Sequence, residues 1–235
     1  MSSDETIEKL RKLDTACLCD AEKALSLGLR VMSSDLRPIR DGLKLVGLAH
    51  TVRCHDDFLT VIKALRDAQA GEVIVIDSQN STRALTGELF PTEAMRKGLA
   101  GIVNDGPCRD TVIVREMEIP YYARSVCCIP GRTNKLFETQ IPIICGGVTV
   151  NPGDLIVGDD DGLIVGTENE FLQLKKCTGL NLQNGKTKTT RKSNVIKLLL
   201  TAHTLSLGKR SKSVFFMLTH TPVTFLFLKA RDFVL

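Results

Sequence analysis

Tryptophan is absent from this 235-residue chain and tyrosine occurs only twice, which leaves little for the aromatic stacking that holds single-stranded nucleic acid. Nucleic acid is therefore not expected as a partner. The eight cysteines contain no CxxC pair and none of the spaced doublets of a zinc ribbon. No leader with a basic start, an apolar middle and a small-residue cleavage site opens the sequence, which predicts a cytoplasmic protein with reduced thiols. The vicinal Cys127 and Cys128 are then expected as small core or strand residues. No apolar run reaches the roughly 20 residues needed to cross a bilayer. The longest candidate, "SVFFMLTHTPVTFLFL", is interrupted by His220 and Pro222, so no membrane contact is expected.

What remains is the composition of a globular protein, with 43% hydrophobic and 25% charged residues, enough to bury a core. The length suits one domain, alone or with an appendage. Charge separates the two: from Phe171 onward there are twelve Lys or Arg against a single acid, Asp232, whereas the first 170 residues hold nineteen bases and twenty-six acids. An acidic body with a basic tail consists of two different objects. The tail reads as a buried or badly packed segment, or equally as an end that is foreign to the domain or disordered. Its basic stretch 186–192 lacks interleaved aromatics and reads as solvated.

The body alternates helical and strand patterns. Ser2 and Glu5 form a capping-box spacing ahead of Ile7, Leu10 and Leu13, and Asp14 and Gly28 bracket a second helix as cap and stop. A strand is predicted over 42–54, then a helix capped by Asp56 and carrying Phe58, Val61, Ile62 and Leu65, closed by Gly71. "EVIVID" (72–77) reads as a buried strand, 78–87 as a loop, and 88–98 as a helix whose Pro91 must lie in its first turn. A strand over 99–105 follows. Beyond it, 141–166 contains three apolar runs separated by Asn-Pro-Gly-Asp and Asp-Asp-Asp-Gly, two hairpin signals with Gly153 and Gly162 in the turns. The fold class is α/β with an antiparallel portion.

The loop after "EVIVID" and the segment "NDGPCRD" (104–110), read as a Gly-Pro turn, leave successive strands in the same sense, and ligand crevices of open α/β sheets form on that side. A helix beginning at Gly87 and Glu88 would turn its free amides, those of Leu89 and Phe90, toward an oxyacid. Arg109 offers a planar fork for a carboxylate. Asp110 is a hard oxygen ligand and Glu88 a second acid to hold a water or trade a proton, a set suited to Mg²⁺ or Mn²⁺ rather than zinc. Adjacent Arg-Asp pairs are also common where a helix starts, with the Asp capping and the Arg solvated, and spacing alone favours that reading. The four histidines, at 50, 55, 203 and 220, show no ligand spacing, and "DDDG" (159–162) lacks the distant glutamate of a calcium loop.

"GELFPTEAMRKGLAGIVNDGPCRD" resembles the core motif of the RraA-like family, which includes the class II 4-hydroxy-4-methyl-2-oxoglutarate aldolases: an acid, twenty residues, then Arg-Asp, here Glu88, Arg109 and Asp110. "GEVIVID" and "CGGVTVNPGDLIVGDDDGLIVG" agree with it. The resemblance spans about residues 12–172, dividing the chain into a domain over 1–172 and a basic extension over 173–235. It implies a β/β/α sandwich like the swivelling phosphohistidine domains, assembled as a homotrimer or hexamer with sites between subunits. It further implies metal-dependent cleavage of 4-hydroxy-4-methyl-2-oxoglutarate to pyruvate and decarboxylation of oxaloacetate. Arg109 would then bind the small 2-oxo acid and its enolate, Asp110 the Mg²⁺ or Mn²⁺, and Glu88 a water, while Gly87, Leu89 and Phe90 receive the carboxylate.

Other members of the family resemble regulators that bind a ribonuclease; these typically lack the aspartate after the arginine. Two departures stand out. Aldolase members commonly carry an acid three residues beyond that aspartate, where this chain has Ile113. They also lend an acid from a C-terminal helix to the neighbouring subunit, whereas nothing acidic lies between Phe171 and Arg231.

Overall fold

In a computed structural model of the protein, residues 3–178 are described, with side chains for 5–173. The chain opens with α1 (Ser3–Leu10), α2 (Thr15–Leu25), the short strands β1 (Arg30–Val31) and β2 (Arg37–Pro38), and the long β3 (Leu45–Arg53). Next come α3 (Leu59–Asp67), β4 (Glu72–Asp77), α4 (Leu89–Arg96), β5 (Gly101–Cys108), the single turn α5 (Thr111–Val114) and β6 (Tyr121–Val126). β7 (Ile143–Cys145), β8 (Val148–Val150), β9 (Leu155–Asp159), β10 (Gly162–Gly166) and α6 (Glu168–Thr178) complete it.

One mixed sheet of eight strands organises the domain, in the order β1-β10-β9-β3-β4-β5-β6-β2. β3 to β6 run parallel, and β9, β10, β1 and β2 join antiparallel at the flanks. Side chains of a strand alternate between faces, and here both faces are covered, so the central strands are largely apolar on both. On β4, Ile74 and Ile76 pack beneath α3 and α4 with Val61, Ala64, Leu65 and Ala94. Val73 and Val75 point the other way, against Ile143, Cys145 and Val150 of the separate β7-β8 hairpin. A third cluster, with Leu10, Leu18 and Phe171, seals α1, α2 and α6 over β3, β9 and β10. Hairpin, sheet and helices form the three layers of a β/β/α sandwich. The two tyrosines are buried, Tyr121 on the helical face and Tyr122 on the hairpin face, so neither is a stacking platform.

Several boundaries differ from expectation for identifiable reasons. α2 is capped by Asp14, which accepts from the Cys17 amide, but it ends at a left-handed Ser26 (φ 50°) rather than at Gly28. There the Glu22 carboxylate gathers the amides of Leu27, Gly28 and Leu29 and turns the chain away. α3 is not capped by Asp56, whose backbone is left-handed (φ 52°) and whose carboxylate binds Ser81 and Thr82. Asp57 serves instead, accepting from Leu59 N at 2.9 Å and, through its other oxygen, from the amides of Asn134 and Lys135. "GP" at 106–107 is not a turn: β5 continues to Cys108 with its pairing shifted between Asn104 and Pro107, where Gly106 lies against Ser78.

The Asn-Pro-Gly-Asp turn does not make a hairpin either, because β8 pairs with β7 and β9 with β3 and β10. The missed hairpin turns at Gly146 and Gly147, both at positive φ, and the Asp-Asp-Asp-Gly hairpin of β9 and β10 is present. In that turn Asp159 receives the Thr15 amide and hydroxyl and Asp160 the Gly42 amide, so these acids tie loops together. Cys127 and Cys128 follow β6, half-buried and exposed, outside the core. α6 runs across position 172; Ser2, His203, His220 and the stretch 186–192 lie outside the described residues. Among those described, no helix is long and apolar enough to cross a membrane.

Asp57, 3% exposed, holds three backbone amides with one carboxylate, and buried donors left without an acceptor are costly. Asp57→Ala is expected to lower unfolding stability by about 2–4 kcal/mol, read as a reduced urea midpoint at unchanged slope.

Candidate active site

The carboxyl ends of β4 and β5 are joined by more than sheet pairing. Thr86 bridges to Cys108, the Leu85 amide reaches Pro107 O at 3.3 Å, and the Arg109 amide reaches Thr86 O at 3.1 Å. This brings the approach to α4 alongside the exit from β5, so Glu88 and Asp110, twenty-two positions apart, become neighbours. Asp110 is left-handed (φ 57°), a conformation that aspartate tolerates better than most residues. Its carbonyl accepts from Ile113 and Val114, starting α5, while its carboxylate is free to turn back. Asp110 Oδ2 accepts from the Glu88 amide at 3.3 Å and lies 3.3 Å from Arg109 Nε.

Gly87 is what permits this approach. A Cβ there would run into the Asp110 carboxylate and come within 3.1 and 3.2 Å of Arg109 Cγ and Nε. Proline at Pro91 sits inside the first turn of α4 as expected, where no intrahelical donor is lost. Of the two amides expected to meet an oxyacid, that of Phe90 already donates to Gly87 O at 3.2 Å. The Leu89 amide has no partner among the described residues and remains at the positive end of the helix. Glu88 meets Asp110 through its backbone amide, and its half-buried side chain makes no capping bond.

Gly87, Leu89, Phe90, Arg109 and Asp110 border a cavity of about 460 Å³ that runs between α3 and α4, within the size range of small-molecule sites. The other acid of the segment, Asp105, faces away. It binds Arg124 at 2.5 Å and the Gly146 amide at 2.6 Å on the hairpin side. His50 pairs with Glu72 and His55 with the Gln79 carbonyl, neither of them at this cavity. Burial pushes the Cys108 thiol up to about 11, so it stays protonated at neutral pH and is no nucleophile.

Beneath the turn lies a polar network that sequence reasoning missed. Thr86 Oγ1 shares a hydrogen bond with the Tyr121 hydroxyl and accepts from Asn104 Nδ2 at 3.1 Å; the same amide group donates to Pro107 O at 2.9 Å. All three side chains are at most 1% exposed. The signal was an asparagine inside an apolar strand, but its partners depend on the shifted pairing of β5. The network fixes Thr86, whose carbonyl in turn holds Arg109.

Comparison with known proteins identifies the family. The family described as RraA-like, Aldolase/RraA, matches residues 15–165. A protein of Halalkalibacterium halodurans provisionally named a 4-hydroxy-4-methyl-2-oxoglutarate aldolase is 37% identical over 72% of this chain and 81% of its own length. One of the same provisional name from Burkholderia multivorans is 35% identical over 64% of this chain and 94% of its own. Streptomyces coelicolor RraAS2, a crystal structure described as an unusual member of the RNase ES inhibitor RraA family, superposes with a TM-score of 0.67. It is 27% identical, covering 78% of this chain and 96% of its own. The chain belongs to the RraA-like family.

Proposed function

We propose that the protein is a divalent-metal-dependent carbon–carbon lyase of short 2-oxo acids, cleaving 4-hydroxy-4-methyl-2-oxoglutarate to pyruvate and decarboxylating oxaloacetate. The observation that carries the reading is the convergence of Arg109, Asp110 and the unpartnered Leu89 amide at one end of one cavity. Names of relatives as aldolases support the lyase class.

Among the described residues there is no group of three or more His, Cys, Asp or Glu placed to hold a metal, so the chain has no dedicated cage there. A single carboxylate with water and substrate completing the shell is how Mg²⁺ is commonly bound, and Asp110, part-exposed at the cavity, fits that pattern. When bound, Mg²⁺ or Mn²⁺ supplies a Lewis acid toward the oxygens of the 2-oxo acid.

The chain's own residues do the rest. The Leu89 amide and the helix start receive the carboxylate of the 2-oxo acid. In the retro-aldol reaction the C3–C4 bond breaks, its electron pair becomes the C2–C3 enolate, and the C4 hydroxyl loses its proton as C4 becomes a carbonyl. The enolate then takes a proton at C3 to give pyruvate. Oxaloacetate reaches the same enolate by losing carbon dioxide. Negative charge thus grows on the C2 oxygen, and Arg109 at the cavity mouth meets it with a fixed cation. Glu88, adjacent to Asp110, holds the water that carries the proton.

The regulator reading rests on the likeness to RraAS2, and Asp110 argues against it. We further infer assembly as a homotrimer or a pair of trimers, because Leu89 and Val112, each 71% exposed, and Ile113, at 47%, surround the site with uncovered apolar surface.

Oxaloacetate supplied with Mg²⁺ or Mn²⁺ should yield pyruvate, with the yield lost to EDTA, restored by added metal, and absent in Asp110→Ala. Turnover that survives both chelation and that substitution contradicts the reading, as does capture of a ribonuclease by a protein with no turnover. Arg109→Lys is expected to lower kcat by about 10²-fold or more, since a point charge does not reproduce the fork. Light scattering should return three or six chain masses, and Val112→Glu should shift that mass toward the monomer; a monomeric parent contradicts the assembly.

A further inference from the structure

Asn104 is a fully buried polar residue in an otherwise apolar stretch of β5, and its side chain reaches both of the segments that meet at the cavity. A single nitrogen serves the two: Nδ2 donates to Thr86 Oγ1 at 3.1 Å and to Pro107 O at 2.9 Å. Thr86 directly precedes Gly87, and Pro107 leads through Cys108 into Arg109 and Asp110. A primary amide carries two hydrogens, so each segment receives one of them. Chemistry fixes the orientation of the group, because the carbonyl of Pro107 can only accept. The pairing of β5 with β6 shifts between Asn104 and Pro107, and the Asn104 side chain spans that interruption.

Neither acceptor depends on Asn104 alone. Thr86 Oγ1 also shares a hydrogen bond with the Tyr121 hydroxyl, and Pro107 O accepts from the Leu85 amide at 3.3 Å. The other end of the amide gains nothing: Oδ1 is buried with no partner among the described residues, an arrangement that costs stability. An apolar residue here would strand neither acceptor, so what the amide distinctively adds is the tie between the two segments. That tie matters for the contact it underlies. Asp110 Oδ2 meets the Glu88 amide at 3.3 Å, the outer limit of a hydrogen bond, and a small further separation ends it.

We propose that Asn104 is a positioning residue: it clamps the segment of Thr86 and Gly87 to the segment of Pro107 to Asp110, and so sets where the Asp110 carboxylate and the Arg109 guanidinium stand without touching metal or substrate. Its consequence for catalysis rests on the metal and 2-oxo acid reading of the site; the clamp itself does not.

Hydrogen exchange followed by nuclear magnetic resonance tests the clamp with neither metal nor substrate present. In the parent, both side-chain amide protons of Asn104 should be protected. In Asn104→Ala the backbone amides of Leu85 and Arg109, which bridge the two segments, should lose about tenfold or more of their protection beyond any change at Val75 in β4, whereas a merely structural role would move all three together. Uptake of Mn²⁺ with pyruvate present should weaken about tenfold or more in the folded variant, and oxaloacetate turnover should fall with it. Freely exchanging Asn104 side-chain protons in the parent, or Leu85 and Arg109 amides that open only as far as Val75 does, overturns the clamp. Undiminished Mn²⁺ uptake and turnover in a variant whose clamp has opened overturns the positioning role. If the clamp opens as expected but the parent neither takes up Mn²⁺ nor turns over oxaloacetate, the clamp stands and the lyase reading fails.

Discussion

One contact decides whether this fold has a site at all: the carboxylate of Asp110 folded back over Gly87 onto the amide of Glu88. The two segments that meet there leave neighbouring parallel strands, and nothing in either segment alone would put an acid against the start of α4. The left-handed backbone of Asp110 aims the carboxylate, and the missing side chain of Gly87 leaves room for it. Residues held in a sparsely populated conformation persist only where their surroundings determine them. Here those surroundings are the hydrogen bond from Arg109 to Thr86 and the buried network of Thr86, Asn104 and Tyr121 below it.

The layered architecture explains why so rigid a foundation lies under a turn. β4 and β5 are covered by the hairpin on one face and by α3 and α4 on the other, so their ends have little freedom. The bulge in β5 lets Asp105 point to the hairpin side, where Arg124 and Gly146 hold it, while five residues later Asp110 points to the helical side. One short acidic segment thus serves two layers, Asp105 bonded on the hairpin side and Asp110 at the start of α4.

Much of this was legible in the sequence. Apolar strands covered on both faces are readable from "EVIVID" and "LAGIV", and two loops leaving successive parallel strands in the same sense are brought to one side of the sheet. What was not legible depended on tertiary register. Asp56 and Asp57 are indistinguishable as caps until the chain at 134–135 arrives to claim one of them. Gly-Pro reads as a turn until β6 pairs on both sides of it. The contact of the Glu88 amide with Asp110 is not readable from the sequence, and the Phe90 amide is used by the helix start. Thr86 and Asn104 look like ordinary polar residues until the shifted strand pairing stacks them under Arg109.

The central claim is that Asp110 serves as a metal ligand only because Gly87 lets it reach that place. Electron paramagnetic resonance of Mn²⁺ with pyruvate present, comparing the parent with Gly87→Ala, tests it without removing any charge. The account predicts that the parent takes up Mn²⁺ and that the folded variant leaves the ion free. Equal Mn²⁺ uptake by both proteins would contradict it.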